Sequence, residues 1–216
     1  MTSPSAHNVQ STVSATIPSY AIGSEVNRVL VVATTSEGAR PTGITYGEQA
    51  LTQAAYHDES VQQSAVWYLL NPPTGTTTIT ITGGSNYTAF AVYLSGANQD
   101  APDATNGATD TVDPVTLPIT TATADCLGLA VFGNGNTGTW TGSGGTTIEA
   151  TLNGSSMCGG LGTKSLAAIG AHTLDADVSS SNRRSSGVVV AFAPAPSGTK
   201  LSKIIQAHKQ TGGISL

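Results

Sequence analysis

The sequence offers few residues that could carry out acid-base or nucleophilic chemistry. Its four histidines are far apart, and the densest ionisable group is the run His57, Asp58 and Glu59, which we place in a turn between two strands. A solvated polar turn explains this run better than a catalytic site. No GxSxG serine motif is present, although a Ser-His-Asp set could still assemble from distant residues. We therefore predict that the protein is not an enzyme and has no catalytic residue.

The carboxylates do not form an obvious metal or glycosidase site. Most of them fall in predicted loops, whereas sugar hydrolysis usually needs two carboxylates that face each other across a cleft. Loop carboxylates could bind calcium, but no EF-hand spacing occurs. Neither a phosphate-binding loop nor a dinucleotide-binding fingerprint is present, so we predict no metal and no cofactor. The loop acids are Asp100, Asp103, Asp110, Asp113, Asp175 and Asp177.

Two cysteines, Cys126 and Cys158, lie on separate predicted strands. They form no CxxC or Cys/His cluster of the kind that holds structural zinc. Spacing alone does not establish that their Cα atoms come close enough for a disulfide. We favour buried, reduced thiols, because a free cysteine packs as a small apolar residue.

One aromatic residue, Trp140, stands apart from the others. It lies in the stretch GNGNTGTWTGSGG, where no apolar neighbours predict a core position. An exposed indole there could stack on a sugar ring or anchor a protein interface. The alternative is that Trp140 covers the open end of a sandwich.

Composition identifies the kind of scaffold that holds these residues. The chain has 216 residues, is rich in threonine, serine and glycine, and has only 10% charged residues, against roughly 25% in an average soluble domain. Its mean hydropathy is +0.02, and no apolar run approaches the roughly 18 residues of a membrane-spanning helix. Eight lysines and arginines against thirteen acids give a net charge of −5, which disfavours nucleic-acid binding.

Short β-branched and aromatic segments alternate with Gly, Asn, Pro and Asp turns, which predicts about a dozen strands. We expect an all-β, two-sheet antiparallel sandwich of the jelly-roll-like kind. The predicted strands are 10–17, 27–34, 41–46, 50–56, 62–70, 76–82 and 87–95, followed by 115–120, 125–132, 146–151, 156–164, 172–178 and 186–193.

The sequence patterns of several segments predict where each segment lies in the sheets or turns. Residues 76–82 alternate threonine with isoleucine, so one face is apolar and the other hydroxylated. Residues 29–33 and 188–193 are apolar on both faces, which indicates central strands. Asn-Gly pairs at 106, 134 and 153 indicate tight turns. The polar stretch 96–114 could be an interdomain linker, but we favour a long loop within one sandwich.

We divide the chain into a flexible N-terminus (1–9), a β-sandwich domain (10–196) and a short C-terminal tail (197–216), helical or extended. Within the tail, Leu201, Ile204, Ile205 and His208 would share one helical face. This stripe suits docking on a partner or on a sister subunit. The alternative is that the tail packs on its own domain or frays.

Four segments resemble a jelly-roll-like β-sandwich family found in phage structural proteins and bacterial surface proteins. These segments are VNRVLVVATTSEG, GITYGEQALTQAA, SAVWYLLNPPTGTTTITIT and AFAVYLSGANQ. The closing stretch LGTKSLAAIGAHTLDADVSSSNRRSSGVVVAFAP is similar to that family's last strands, so the resemblance covers about residues 10–194. It implies the fold and assigns no catalytic residue.

Three features together predict a role. The composition is that of a secreted sandwich, the N-terminus MTSPSAHNVQ shows no secretory leader, and the tail suits docking. We expect a non-enzymatic virion structural protein of a tailed phage, made in the host cytoplasm, such as a capsid decoration or head-fibre protein. It would form a homo-oligomer and contact other virion proteins such as the major capsid protein, but neither nucleic acid nor membrane. The alternative is a carbohydrate-binding or adhesive surface module that uses Trp140.

Overall fold

The structure is a computed structural model that describes residues 2–59, 62–110, 114–180 and 184–197. All regular structure in these residues is β, and all strand pairs are antiparallel. They contain no helix long and apolar enough to cross a bilayer.

The strands fall into two successive groups. Among the described residues, the first group is β1 (Ser5–Thr12), β2 (Thr16–Ile22), β3 (Val29–Glu37), β4 (Pro41–Tyr46), β5 (Gln49–Ala50), β6 (Thr52–Glu59), β7 (Gln62–Leu70), β8 (Gly75–Gly83) and β9 (Tyr87–Ser95). The second group is β10 (Ala104–Asp110), β11 (Val115–Thr121), β12 (Cys126–Asn134), β13 (Trp140–Ser143), β14 (Thr147–Asn153), β15 (Cys158–Leu166), β16 (Gly170–Val178) and β17 (Ser185–Phe192).

Each group forms an outer sheet and an inner sheet, and the two inner sheets pack face to face. The first outer sheet has the order β2-β8-β4-β5 and the first inner sheet β1-β9-β3-β7-β6. The second inner sheet has the order β10-β17-β12-β15-β14 and the second outer sheet β11-β16-β13. The prediction of an all-β antiparallel sandwich is confirmed, with four stacked sheets in place of the expected two.

The two groups are repeats of one topology. Replacing β1, β9, β3, β7 and β6 by β10, β17, β12, β15 and β14 converts the order of one inner sheet into that of the other. The register agrees as well, because Val29 pairs with Leu94 in the first repeat and Leu127 with Phe192 in the second. We call residues 5–95 repeat 1 and residues 104–192 repeat 2.

Three apolar layers hold the four sheets together. Within each repeat, an outer sheet packs on its inner sheet. The middle layer joins the repeats, where Val31 and Val92 of repeat 1 share one buried cluster with Leu129, Val188 and other residues of repeat 2. Strands β3 and β17 are therefore covered on both faces, as their apolar sequences predict. Strand β8 is covered on one face, which buries Ile79 and Ile81, also as predicted.

One end of the middle layer is polar. Across β9, β3 and β7, the side chains of Thr88, Thr35 and Ser64 lie side by side and are buried. The corresponding row on β17, β12 and β15 is Ser186, Gly133 and Gly159. The two rows contact each other. Each contact between a residue of repeat 1 and a residue of repeat 2 is matched by a contact between their counterparts, as a two-fold relation between the repeats requires.

Two close approaches show this reciprocity. The hydroxyls of Ser64 and Ser186 share a hydrogen bond of 2.8 Å. In the counterpart pair, Gly159 faces Thr88 so closely that a Cβ on the glycine would overlap the Thr88 hydroxyl. Thr35 similarly faces its own counterpart, Gly133.

Four predictions about the chain's organisation are wrong. The stretch 96–114 is not a long loop, because β10 lies in it and pairs with β17, and Asn106-Gly107 lies within that strand rather than in a turn. The first nine residues are not a flexible terminus, because β1 begins at Ser5 and pairs with β9. The predicted strand 10–17 spans the break between β1 and β2. The tail from residue 198 lies outside the described residues.

Both ends of the described chain lie on the same side of the body. A recess of about 440 Å³ there is lined by residues near each end, including Thr2, Ser3 and Ser197. The link between the repeats lies on this side too, where Ala97 forms a bridge with Pro194 and the Asn98 amide donates to the carbonyl of Ala193 at 2.8 Å.

Candidate functional site

Trp140 is buried, so the prediction of an exposed aromatic is wrong. Its side chain is only 3% exposed, and its ring lies 5.5 Å from that of Phe132 between the two sheets of repeat 2. The space for the indole comes from Gly160 on β15, where an added Cβ would contact the ring. The sequence around Trp140 is polar and therefore does not predict a buried position. The residues that bury the indole are distant along the chain.

The four other predicted interface residues, Leu201, Ile204, Ile205 and His208, lie outside the described residues. Their predicted role in docking stays a prediction.

The run of His57, Asp58 and Glu59 lies at the end of strand β6 and not in a turn. Asp58 forms an ion pair with Arg40, whose Nε lies 3.3 Å from Oδ1, and both side chains are partly exposed. His57 lies against Gly107 of β10, where a Cβ would contact its side chain. This run therefore helps to join the repeats at one edge of the inner sheets.

Cys126 and Cys158 are free and buried, which confirms the prediction of reduced thiols. Burial, with a smaller effect of the nearby Asp103 carboxylate, raises the pKa of Cys126 to about 12. Burial raises the pKa of Cys158 to about 11. A thiol with such a pKa is protonated at neutral pH and is a poor nucleophile or metal ligand.

No group of three or more His, Cys, Asp or Glu side chains within the described part of the chain could hold a metal ion. The prediction that the acids lie in loops is wrong for Asp110, which ends strand β10, and for Asp175 and Asp177, which lie on strand β16. Asp103 Oδ2 accepts hydrogen bonds from the amides of Ala122 and Thr123 and so fixes the turn that precedes β12.

A groove runs between the edge strands of the two inner sheets. It is a shallow, open groove with a volume of about 440 Å³. Strand β6 forms one wall and strand β10 the other, so the groove exists only because the repeats pack together. Its lining residues are Gln53, Ala54, Ala55, Tyr56, Thr105, Asn106 and Gly107.

Tyr56 is an exposed aromatic residue at the rim of this groove, on the outer face of β6, where it pairs with Ala65. Its side chain is 53% exposed, and the guanidinium carbon of Arg40 lies 4.2 Å from the ring centroid. Arg40 also forms the ion pair with Asp58. The guanidinium that contacts the tyrosine ring is therefore itself held by a carboxylate.

A scan of protein-family models, a search of curated proteins and a search of solved structures found no match to this chain.

Sequence reasoning did not identify the groove. Tyr56 is the last residue of the predicted strand 50–56, and the other wall lies in the predicted loop 96–114. The signal that could have found it is the run TQAAYHDE, where an aromatic follows two alanines on a strand that ends in charged residues.

Proposed function

We propose that the protein is a non-enzymatic structural protein of a virion. It would be a capsid decoration, head-fibre or similar accessory protein of a tailed phage, made in the host cytoplasm, that self-associates and docks on the particle. We include in this proposal its membership of the jelly-roll-like family that its sequence resembles.

The observation that carries the proposal is the middle layer. It joins the two repeats through apolar side chains from both inner sheets, among them Phe90, Val131 and Val190. A core shared by two sandwiches favours a single stiff body. Stiffness and a low density of charge suit a building block of a particle surface.

The positions of the two ends of the described chain support a proposal about which side of the body docks. Both ends lie on the same side. Ser197, the last described residue, lines the recess together with Ser3. A tail that docks through Leu201, Ile204 and Ile205 would attach this side to the particle or to a sister subunit and turn the opposite side outward.

The alternative of an adhesive module that uses Trp140 has lost its support, because this indole is buried beneath its own sheet.

The test compares the full chain with a chain that ends at Ser197. We expect light scattering coupled to size exclusion to give a closed homo-oligomer for the full chain. The shortened chain should be a monomer with an unchanged far-UV circular dichroism spectrum and melting temperature.

A full-length L201A/I204A/I205A variant is the matched control, because it keeps the length and lysines of the tail and removes only the apolar stripe. It should behave as the shortened chain does. A monomeric full-length chain, or an oligomer that persists in the shortened chain, would contradict the proposed role of the tail.

A further inference from the structure

The side of the body that carries both ends of the described chain is a surface of loops around the recess. Gly96, which lines the recess, donates its amide to the carbonyl of Val26 at 3.1 Å. The hydroxyl of Ser3, in the wall of the recess, lies 3.3 Å from that of Ser165 near the end of β15. We call the recess and the loops 23–28, 96–103, 122–125 and 167–169 the terminal face.

Hydrogen bonds connect the other loops of the terminal face. The Asp103 carboxylate accepts from the amides of Ala122 and Thr123. The amide of Asp125 donates to the carbonyl of Ala167 at 3.2 Å. The terminal face is therefore one continuous surface, to which both repeats contribute.

The terminal face presents apolar side chains to solvent. Among the described residues, Val26 and Ile169 are the most exposed large apolar residues, with exposed fractions of 73% and 65%. One exposed apolar residue needs no explanation. Here two of them lie on the same face as a recess of about 440 Å³ that is lined by small, uncharged residues. This face therefore offers apolar contact area to a partner.

The loops of the terminal face are also acidic. They contain four carboxylates and one basic residue, Arg28, and their net charge is −3. The Arg28 guanidinium donates to the backbone carbonyls of Glu25 and Pro72. A partner for this face should therefore be basic as well as apolar. The four carboxylates belong to Glu25, Asp100, Asp103 and Asp125.

The tail that follows Ser197 has the complementary composition. Residues 198–216 contain three lysines and neither Asp nor Glu. They also contain the predicted apolar stripe of Leu201, Ile204 and Ile205. A basic segment with one apolar side matches a surface that is acidic and apolar. The three lysines are Lys200, Lys203 and Lys209.

The place where the tail starts favours a tail from a second copy of the chain. Ser197 itself lines the recess, and Leu201 follows within four residues, which span at most about 14 Å. The chain's own tail would have to reverse its direction within residues 198–200 to cover the face from which it starts. The tail of a second copy approaches from outside, and a two-fold axis allows both tails to bind in the same way.

We propose that the terminal face binds the C-terminal tail of a second copy of this chain. Leu201, Ile204 and Ile205 cover the recess and contact Val26 and Ile169. The lysines of the tail lie near the carboxylates of the face. This proposal rests on the proposed function, because it names the surface of the sister subunit that the tail contacts.

Disulfide cross-linking of co-expressed full-length chains tests the site. One chain carries Val26→Cys and the other Ile204→Cys, and the native thiols do not interfere because both are buried. After mild oxidation, we expect a covalent heterodimer on non-reducing electrophoresis, with residues 26 and 204 joined in its peptide masses. Thr82→Cys, at an exposed position at the other end of the body, is the matched control and should not link to residue 204.

Charge reversal is an independent test of the same face. We expect an E25K/D100K variant to weaken self-association by about tenfold or more, because it brings lysines against the lysines of the tail. An E48K/D177K variant is the matched control, since it reverses two charges outside the terminal face, and should leave association unchanged. Light scattering over a range of concentrations measures both, and unchanged circular dichroism spectra show that the variants are folded.

The outcomes separate this proposal from the proposed function. A link within one chain of a V26C/I204C variant, in the absence of links between chains, would place the tail on its own body and overturn the proposal. An oligomer that forms without any link to residue 26 and tolerates E25K/D100K would also overturn it, while the virion role would stand. A monomeric full-length chain would contradict both.

Discussion

At the scale of single residues, Gly133 shows how closely the two repeats approach. A Cβ at this position would overlap the Thr35 hydroxyl and lie 2.6 Å from Gln62 Nε2. Both of these neighbours are buried, and the Gln62 amide donates to Thr35 at 2.9 Å. Neither can move away without breaking that bond.

We therefore expect Gly133→Ala to lower the free energy of unfolding by about 1–3 kcal/mol through overpacking. Gly43→Ala is the control, because the nearest atom to its added Cβ is 4.0 Å away. It should change stability by less than about 0.5 kcal/mol. Urea denaturation of the two variants measures both values, and equal stabilities would contradict the close packing at Gly133.

The two buried thiols predict a dependence on alkaline pH. Their pKa values in the folded protein, about 12 for Cys126 and about 11 for Cys158, lie above those in the unfolded chain. The folded state thus holds these protons more tightly, and the stabilisation is complete below pH 8 or so and lost as pH rises toward the folded pKa.

Above about pH 9, the free energy of unfolding should fall by up to about 1.4 kcal/mol per pH unit for each thiol. The raised pKa of the buried Tyr20 adds a similar effect at higher pH. Urea denaturation at pH 8 and pH 10.5 measures the slope. A C126A/C158A variant should show a shallower slope, and an unchanged slope would rule out the thiols as its source.

At the scale of strands, the hydrogen bond between Ser64 on β7 and Ser186 on β17 joins the repeats through polar groups. Ser64 also donates to Thr35 at 3.3 Å. All three hydroxyls are buried, so removing one partner leaves another without its bond.

We expect Ser64→Ala and Ser186→Ala each to cost about 1–2 kcal/mol of stability. The double variant should cost less than the sum, with a coupling energy of about 0.5–1.5 kcal/mol. Chemical denaturation of the four proteins gives this cycle, and Ser24→Ala, at an exposed serine, controls for the loss of a hydroxyl. Strict additivity would show that the two side chains do not interact.

The strands also show what the sequence could and could not predict. The apolar patterns of β3, β8 and β17 predict these strands directly. A strand that is buried on one or both faces must carry apolar residues on each buried face. Strand β10 was missed because its residues, ATNGATD, carry no such pattern. It is an edge strand, where backbone pairing with β17 replaces side-chain burial as the main constraint.

The groove and the burial of Trp140 could not be predicted for a related reason. Both depend on glycines and alanines on distant strands, such as Gly160 beneath the indole and Gly107 in the groove wall. Residues with little or no side chain add nothing to the apolar periodicity from which strands and buried faces are predicted. The duplication is similarly hidden, since its clearest trace is the correspondence of Thr16-Ile17-Pro18 with Thr116-Leu117-Pro118.

At the scale of the whole molecule, the shared middle layer makes the stability of each repeat depend on the other. Separating the repeats would expose residues such as Phe90, Leu129 and Val190 to water. Each buried side chain of this size contributes about 1.5–3 kcal/mol, which is large compared with the stability of a typical domain. We therefore expect both repeats to unfold in one transition.

The two tryptophans allow this to be measured directly, because Trp67 is buried in repeat 1 and Trp140 in repeat 2. Single-tryptophan variants W67F and W140F report on one repeat each. Their fluorescence midpoints in urea should each coincide with the circular dichroism midpoint of the same variant. A tryptophan signal that changes at a different urea concentration from the circular dichroism would show that the repeats unfold independently.

The position of the two ends of the described chain has a consequence for how the polypeptide could be connected. Thr2 and Ser197 line the same recess, and the link between the repeats runs past it through Ala97 and Asn98. A short peptide across the recess, combined with a cut in that link, would give a circular permutant in which repeat 2 precedes repeat 1. Because the repeats share one topology and meet about a two-fold axis, their order along the chain is interchangeable in space.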